Sequence, residues 1–201
     1  MPTETMKYVL PKILAHPSQD TYRYTNFIET GTCNGDTAAW AANLFDNVST
    51  VEINISKHNH AALKYGDIYN IDFWPGDSRV LLPLILEEQT KPCVFWLDAH
   101  FSDDPRLVHK LNNECPLREE LIAIMAHSWK HQVQHLIFID DAELFTGDQD
   151  PGRLPLDEIL ALSDAMWGSY LYRIYWGNII LYPCDMDEAV ETAVAEQGGL
   201  A

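Results

Sequence analysis

Short apolar runs alternate along the chain with segments of helical periodicity. Strands are predicted at Asn26–Glu29, Ser49–Ile53, Ile71–Trp74, Cys93–Leu97, His135–Ile139, Tyr170–Tyr175 and Asn178–Tyr182. The first five are rich in Val, Ile and Phe and too short to be helices. Helices are predicted over Thr37–Phe45, Ser56–Tyr65, Arg79–Glu88, Leu117–Trp129 and Leu154–Met166. In Leu117–Trp129, the residues Leu117, Leu121, Ile124 and Met125 share one face, and Arg118, Glu119 and Glu120 are expected to point outward.

Strand–helix alternation implies crossover units and a mainly parallel sheet covered on both faces. The last two strands are separated only by Trp176-Gly177, a connection that joins antiparallel neighbours. The expected architecture is therefore α/β: a doubly wound, mostly parallel seven-stranded sheet finished by a C-terminal antiparallel hairpin. Ligands of such sheets bind outside the carboxyl ends of the strands. The residues that end each strand therefore carry the functional information.

A chain of 201 residues suits one domain, here 1–201, with 1–25 as an N-terminal extension and 195–201 as a frayed tail. Thirteen Lys and Arg against thirty Asp and Glu leave a net charge of −17. That charge repels phosphate backbones and anionic lipid, so neither nucleic acid nor membrane is an expected partner. No run approaches the roughly 20 apolar residues that span a bilayer, and the start lacks a secretory signal. Cys33, Cys93, Cys115 and Cys184 are scattered, which suits reduced thiols in a cytoplasmic protein. Three of them are expected to pack, and Cys33 to lie near a ligand.

The first strand runs into Glu29-Thr30-Gly31-Thr32-Cys33-Asn34-Gly35-Asp36-Thr37 and then a helix. Glycines serve where backbone turns sharply or approaches a ligand, and a helix N-terminus offers free N–H groups. Cys33 stands where a dinucleotide fingerprint has its second glycine. The second strand ends in Val51-Glu52-Ile53-Asn54, where an acidic side chain about 20 residues after the glycine turn can accept from ribose hydroxyls or simply be solvated. After the third strand, Asp77 and Ser78 either reach an adenine amine or cap the next helix. The fourth strand ends in Asp98-Ala99-His100 and the fifth in Asp140-Asp141. Like charges gathered at one rim are costly without a cation, and oxygen donors suit Mg²⁺, Mn²⁺ or Ca²⁺; otherwise one aspartate caps the next segment and Asp98 pairs with Arg106 or Arg118.

Together these strand ends resemble the class I S-adenosylmethionine-dependent methyltransferases, and among them the metal-dependent O-methyltransferases of catechol and macrolide-sugar type. The resemblance covers Phe27 to Asp141, and the closing hairpin fits the Rossmann-like methyltransferase fold. It implies S-adenosylmethionine as cofactor, bound by Glu29, Gly31, Thr32, Cys33, Gly35, Glu52, Ile53, Asp77, Ser78 and Asp98. It implies a divalent cation, Mg²⁺ first, on Asp98, Asp140 and Asp141. It further implies a small hydroxylated acceptor; separately, six Trp and nine Tyr leave aromatic surface for a pocket or a homodimer contact. The sugar-modifying branch has an acidic base where this chain has His100, and histidine can take that role; with Asp98 it forms the catalytic pair. The catechol branch has a lysine shortly after the fourth-strand aspartate, and here none occurs before Lys110. Segments Ser102–Glu114 and Thr146–Arg153 are expected as loops over the rim. Two other readings remain: a non-catalytic module that binds the cofactor, and a metal-dependent hydrolase using Asp98, His100, Asp140 and Asp141.

Overall fold

The strands β1 (Asn26–Thr30), β2 (Asn47–Glu52), β3 (Ile71–Pro75), β4 (Cys93–Leu97), β5 (Leu136–Ile139), β6 (Tyr170–Tyr175) and β7 (Asn178–Pro183) form one sheet in the order β3-β2-β1-β4-β5-β7-β6. The computed structural model describes residues 3–17, 22–99, 115–146 and 154–198. Neighbours from β3 to β5 pair in parallel, whereas β7 runs antiparallel to both β5 and β6. Each predicted strand is present, with ends shifted by no more than two residues. The turn between β6 and β7 places Trp176 and Gly177 at φ 46° and 75°. Positive φ at both central residues matches the twist that a two-residue hairpin needs.

The described helices are α1 (Leu10–Ala15), α2 (Asp36–Ala41), α3 (Ile55–Tyr65), α4 (Ser78–Glu87), α5 (Leu117–His131), α6 (Glu143–Thr146), α7 (Leu156–Asp164) and α8 (Asp187–Gly198). A π-helical turn, Thr5–Val9, leads into α1. Asn54 caps α3 by accepting from the amides of Ser56 and Lys57. None of the described helices is long and apolar enough to cross a membrane.

Alternation along the strands divides the apolar side chains between two cores. One holds Ile28, Val51, Phe95, Leu97 and Ile137 beneath α4, α5 and α7. The other holds Phe27, Val48, Val94, Trp96 and Phe138 against α2, α8 and the N-terminal segment. Met6, Val9, Leu10 and Ile13 are fully buried there, so what reads as an extension is built into the second core. The frayed tail expected from 195 includes Ala195–Gly198, which complete α8. All four cysteines are free thiols; Cys93 is buried, but Cys184 is exposed and does not pack as expected.

Candidate functional site

In this strand order β1 lies between β2 and β4, and the connections leave it in opposite directions. Its carboxyl end is thus the topological switch point where a crevice forms. Here the amides of Gly31 and Thr32 both donate to the Val51 carbonyl, at 2.9 and 3.1 Å. Gly31, at φ 90°, passes so close to β4 that a Cβ on it would stand 2.4 Å from the Asp98 carbonyl oxygen. Only glycine fits. Gly35, at φ 77°, leads into α2 and packs against Ala61 and Tyr65 of α3. Its glycine character thus serves the turn and the packing of α3. Asp36 fastens the same corner through Lys64 and Tyr65.

Glu52 closes this loop from β2. Its two carboxylate oxygens accept from the Cys33 and Asn54 amides, each at 2.8 Å. Cys33 is exposed and left-handed at φ 48°. Ile53 follows, half-buried. Beneath the loop, Thr50 donates to Glu29 at 2.6 Å and shares a 2.6 Å contact with Thr32. Because the Thr50 proton goes to Glu29, Thr32 donates to Thr50, and the three form a directed chain. Burial raises the Glu29 carboxyl to about 8; the Thr50 hydrogen bond opposes the rise and the Asp98 charge adds to it.

After β3, Asp77 caps α4 through the Arg79 amide at 3.0 Å and pairs with the Arg79 guanidinium at 2.7 Å. Of the two roles open to it, capping is the one the structure displays. Ser78 is buried at the first position of α4.

The rim aspartates are placed but not gathered. The Asp98 amide donates to Thr30 at 3.0 Å, continuing the β1–β4 ladder. Asp140 accepts from Asn178 at 2.6 Å, and the Asp141 backbone is left-handed at φ 51°. Among the described residues no three His, Cys, Asp or Glu side chains are grouped so as to hold a metal ion. Asp98, Asp140 and Asp141 therefore do not make the expected ligand set with one another. His100, the Ser102–Glu114 segment and residues 147–153 of the second expected loop lie outside the described residues.

Glu120 corrects the sequence reading. It does not point outward: it is 1 % exposed. Seated in the first turn of α5, it lines a small cavity with Leu97, Ala99, Ile139, Asp140 and Phe145, at the ends of β4 and β5. Burial raises its carboxyl to about 7, against the nearby hydroxyls of Ser78 and Thr30. Its position was readable: Glu120, Ile124 and His127 repeat at helical spacing, and all three are buried.

The hairpin supplies rim residues that pattern reading missed. Asn178 is fully buried, orienting Asp140 with its amide while its own oxygen accepts from Thr3 at 3.4 Å. Thr5 donates to the Tyr175 carbonyl at 3.4 Å, and the Ala142 amide donates to Gly177 at 2.7 Å. The Tyr175 and Trp176 rings stack with centroids 4.8 Å apart.

No protein-family model and no curated protein sequence matches the chain. Solved structures do. Human methyltransferase-like protein 13, in complex with SAH, is 14% identical over 96% of this chain and 93% of its own, with a TM-score of 0.55. An O-methyltransferase from Bacillus cereus, also with SAH, is 17% identical over 90% of each chain, with a TM-score of 0.53. An rRNA methylase from Streptococcus thermophilus is 11% identical over 91% of this chain and 98% of its own, again at 0.53. These neighbours span different acceptors, so the shared architecture does not select among them. In strand order, hairpin and helix placement, the chain has the Rossmann-like fold of the class I methyltransferases.

Proposed function

We propose that this chain is an S-adenosylmethionine-dependent methyltransferase that modifies a hydroxyl group of a small molecule, of sugar, phenol or diol type. The observation that carries the reading is the clamp at the switch point, where Glu52 is bonded to the amide of Cys33. A carboxylate has about four acceptor positions. Two are used by backbone amides, which orient the group, and the others remain for a vicinal diol. The acceptor positions left at this edge thus fit the hydroxyls of a nucleoside.

In this reading Gly31, Thr32, Cys33, Glu52 and Ile53 border the cofactor directly. Glu29 and Gly35 shape the loop beneath it. Asp77 and Ser78 flank its base, and Asp98 faces the loop from β4. When bound, the cofactor supplies an electrophilic methyl group on a sulfonium. The new O–CH₃ bond forms as the C–S bond breaks, its electron pair stays on sulfur, and the acceptor's hydroxyl proton must leave. We assign that proton to His100, whose neutral imidazole is the competent form, and assign Asp98 to orienting the acceptor. Catalysis is then mainly positioning. No step is routed through a cation, because the three rim aspartates do not meet as a ligand set.

The acceptor class rests on charge. At −17, the chain disfavours a phosphate backbone and suits a neutral or cationic small molecule. Calorimetry with S-adenosylhomocysteine tests the cofactor, and Glu52→Ala should weaken that binding by at least about tenfold. Transfer of labelled methyl from S-adenosylmethionine to sugars, catechols, phenols and RNA, with Mg²⁺ and with EDTA, tests the rest. Wild-type protein that does not bind S-adenosylhomocysteine overturns the reading.

A further inference from the structure

β6 is the last strand of the sheet, and among the described residues it pairs with β7 alone. An open edge is ordinarily blunted by charge, proline or a bulge, because its unpaired N–H and C=O groups invite another strand. The opposite edge, β3, follows that rule, with Asp72 and Pro75 exposed. β6 does not. Its six residues meet β7 in unbroken register, without proline, and Leu171, Tyr172 and Ile174 are 38, 42 and 47 % exposed.

The turn decides which backbone groups face outward. A two-residue hairpin closes on a hydrogen-bonded pair, here Tyr175 and Asn178, and such pairs alternate along the ladder. Leu171 and Arg173 therefore bond to β7, whereas Tyr170, Tyr172 and Ile174 turn their N–H and C=O groups to the open edge. In keeping with this, the Tyr172 carbonyl accepts from the Arg173 guanidinium at 3.2 Å. Tyr170 lies in the core beneath α7, so Tyr172 and Ile174 share that side of the sheet. Arg173 is on the other side, paired with Glu191 of α8.

Charge selects the occupant. The chain carries −17, yet residues 165–184 hold no Asp or Glu, and Arg173 is their one charged residue. A second copy of the chain can approach this edge without setting acid against acid. A two-fold axis normal to the sheet keeps α8 of both copies on one side. Each Arg173 then lies on the side that carries the other copy's α8, whose charged residues are all acidic. We propose that β6 pairs antiparallel with β6 of a second copy, joining two seven-stranded sheets into one two-fold dimer. The axis passes at Tyr172, which faces its own counterpart, while Ile174 faces Tyr170. All three outward residues are then paired, and the Tyr172 carbonyl exchanges the guanidinium for an amide. An axis at Arg173 would instead set two guanidinium groups directly opposite. Because each copy spends its one open edge, assembly closes at two.

The test is sedimentation velocity of the full chain over a range of concentrations. Wild type should reach twice the chain mass and go no further. Tyr172→Pro removes an outward N–H that the β6–β7 ladder does not use, so the monomer should still fold. Its dimer dissociation constant should rise at least about tenfold, the value of two hydrogen bonds, one from each copy. Ile174→Lys places an edge charge and should weaken the dimer similarly. Crosslinking reads the interface directly. A short bis-maleimide should join Tyr172→Cys into dimers well beyond the wild-type level, and should not do so for Leu63→Cys on the exposed side of α3. If Tyr172→Pro does not fold, Ile174→Lys decides. A monomer at every concentration, assemblies larger than two, a dimer that both variants leave unchanged, or crosslinking no stronger at 172 than at 63 overturns the proposal.

Discussion

His135 donates its Nε2 proton to Nδ1 of His127 across 3.1 Å. The direction is set at the far ends of the pair. The Cys93 amide donates to Nδ1 of His135, and the Gln89 carbonyl accepts from Nε2 of His127, both at 3.1 Å. Each ring therefore has one donor and one acceptor nitrogen in use, which fixes both as neutral tautomers. Burial, and next the neighbouring His127, hold His135 down to about 3; burial lowers His127 as well.

Stability should therefore fall toward both acid and alkali, for opposite reasons. The two histidines have folded values below their ordinary 6.5, so their contribution is lost as pH falls below 6.5, for His135 down to about 3. Glu29 and Glu120 are raised from 4.5 to about 8 and about 7, so theirs is complete below 4.5 and lost as pH rises to those values. Between 4.5 and 6.5 the histidines and the carboxylates act in opposite directions. Urea unfolding should show a shallower pH dependence there than outside that window, where stability falls on both sides by about 1.4 kcal/mol per pH unit for each uncompensated proton. Stability that keeps rising from pH 6.5 to 8 would remove the buried carboxylates from this account.

Replacing Glu29 by Gln isolates one of these groups. The amide keeps an acceptor for the Thr50 hydroxyl and cannot ionise. At pH 5 the variant should melt close to wild type, and at pH 8.5 above it, by about 2–4 °C for each kcal/mol recovered. Equal melting temperatures at pH 8.5 would mean that Glu29 carries its charge without penalty.

Gly31→Ala should be among the most damaging small substitutions. The added Cβ would lie 2.4 Å from the Asp98 carbonyl oxygen and 2.7 Å from its carbon, both backbone atoms that cannot step aside alone. A loss of about 2–4 kcal/mol is expected, from that clash together with the strain of φ 90°. At Gly35 the neighbours are side-chain atoms of Ala61 and Tyr65, at 3.0 and 3.1 Å. Gly35→Ala should therefore cost less, and denaturation of the two variants side by side checks the order.

Asn178→Ala should separate the rim from the nucleoside end. It removes the 2.6 Å hydrogen bond to Asp140 and costs about 1.5–3 kcal/mol of stability. Methyl transfer should fall while S-adenosylhomocysteine affinity stays, since both β1 and β4 stand between β5 and the strand that carries Glu52. Reduced affinity in this variant would join the two ends more closely than the sheet order suggests.

The strands were legible because short β-branched and aromatic runs admit no other element, and the two-residue Trp176-Gly177 link left only an antiparallel finish. The glycine loop and Glu52 were legible because a switch point concentrates its chemistry at strand ends. Other features were not. At Glu120, charge suggested an outward side chain, whereas helical spacing carried it inward. At the rim, residue type suggested three converging carboxylates. What holds them is decided after the strands end, as where the Asn178 amide takes Asp140 and the backbone turns left-handed at Asp141. Asp77 was ambiguous because a capping carboxylate and a ligand carboxylate occupy the same position in sequence. The helical start of the chain was missed because its buried positions, Met6, Val9, Leu10 and Ile13, straddle Pro11 and a π-helical turn.

The bonds from Thr3 to Asn178 and from Thr5 to Tyr175 tie together residues 175 and 170 positions apart. Contacts of such long separation form only after the intervening chain has been laid down, and they are among the slowest to close. A nascent chain that has released β1 through β5 still lacks β7 and the turn before it, to which its first residues are tied. The start of the chain is thus seated last, when the end arrives.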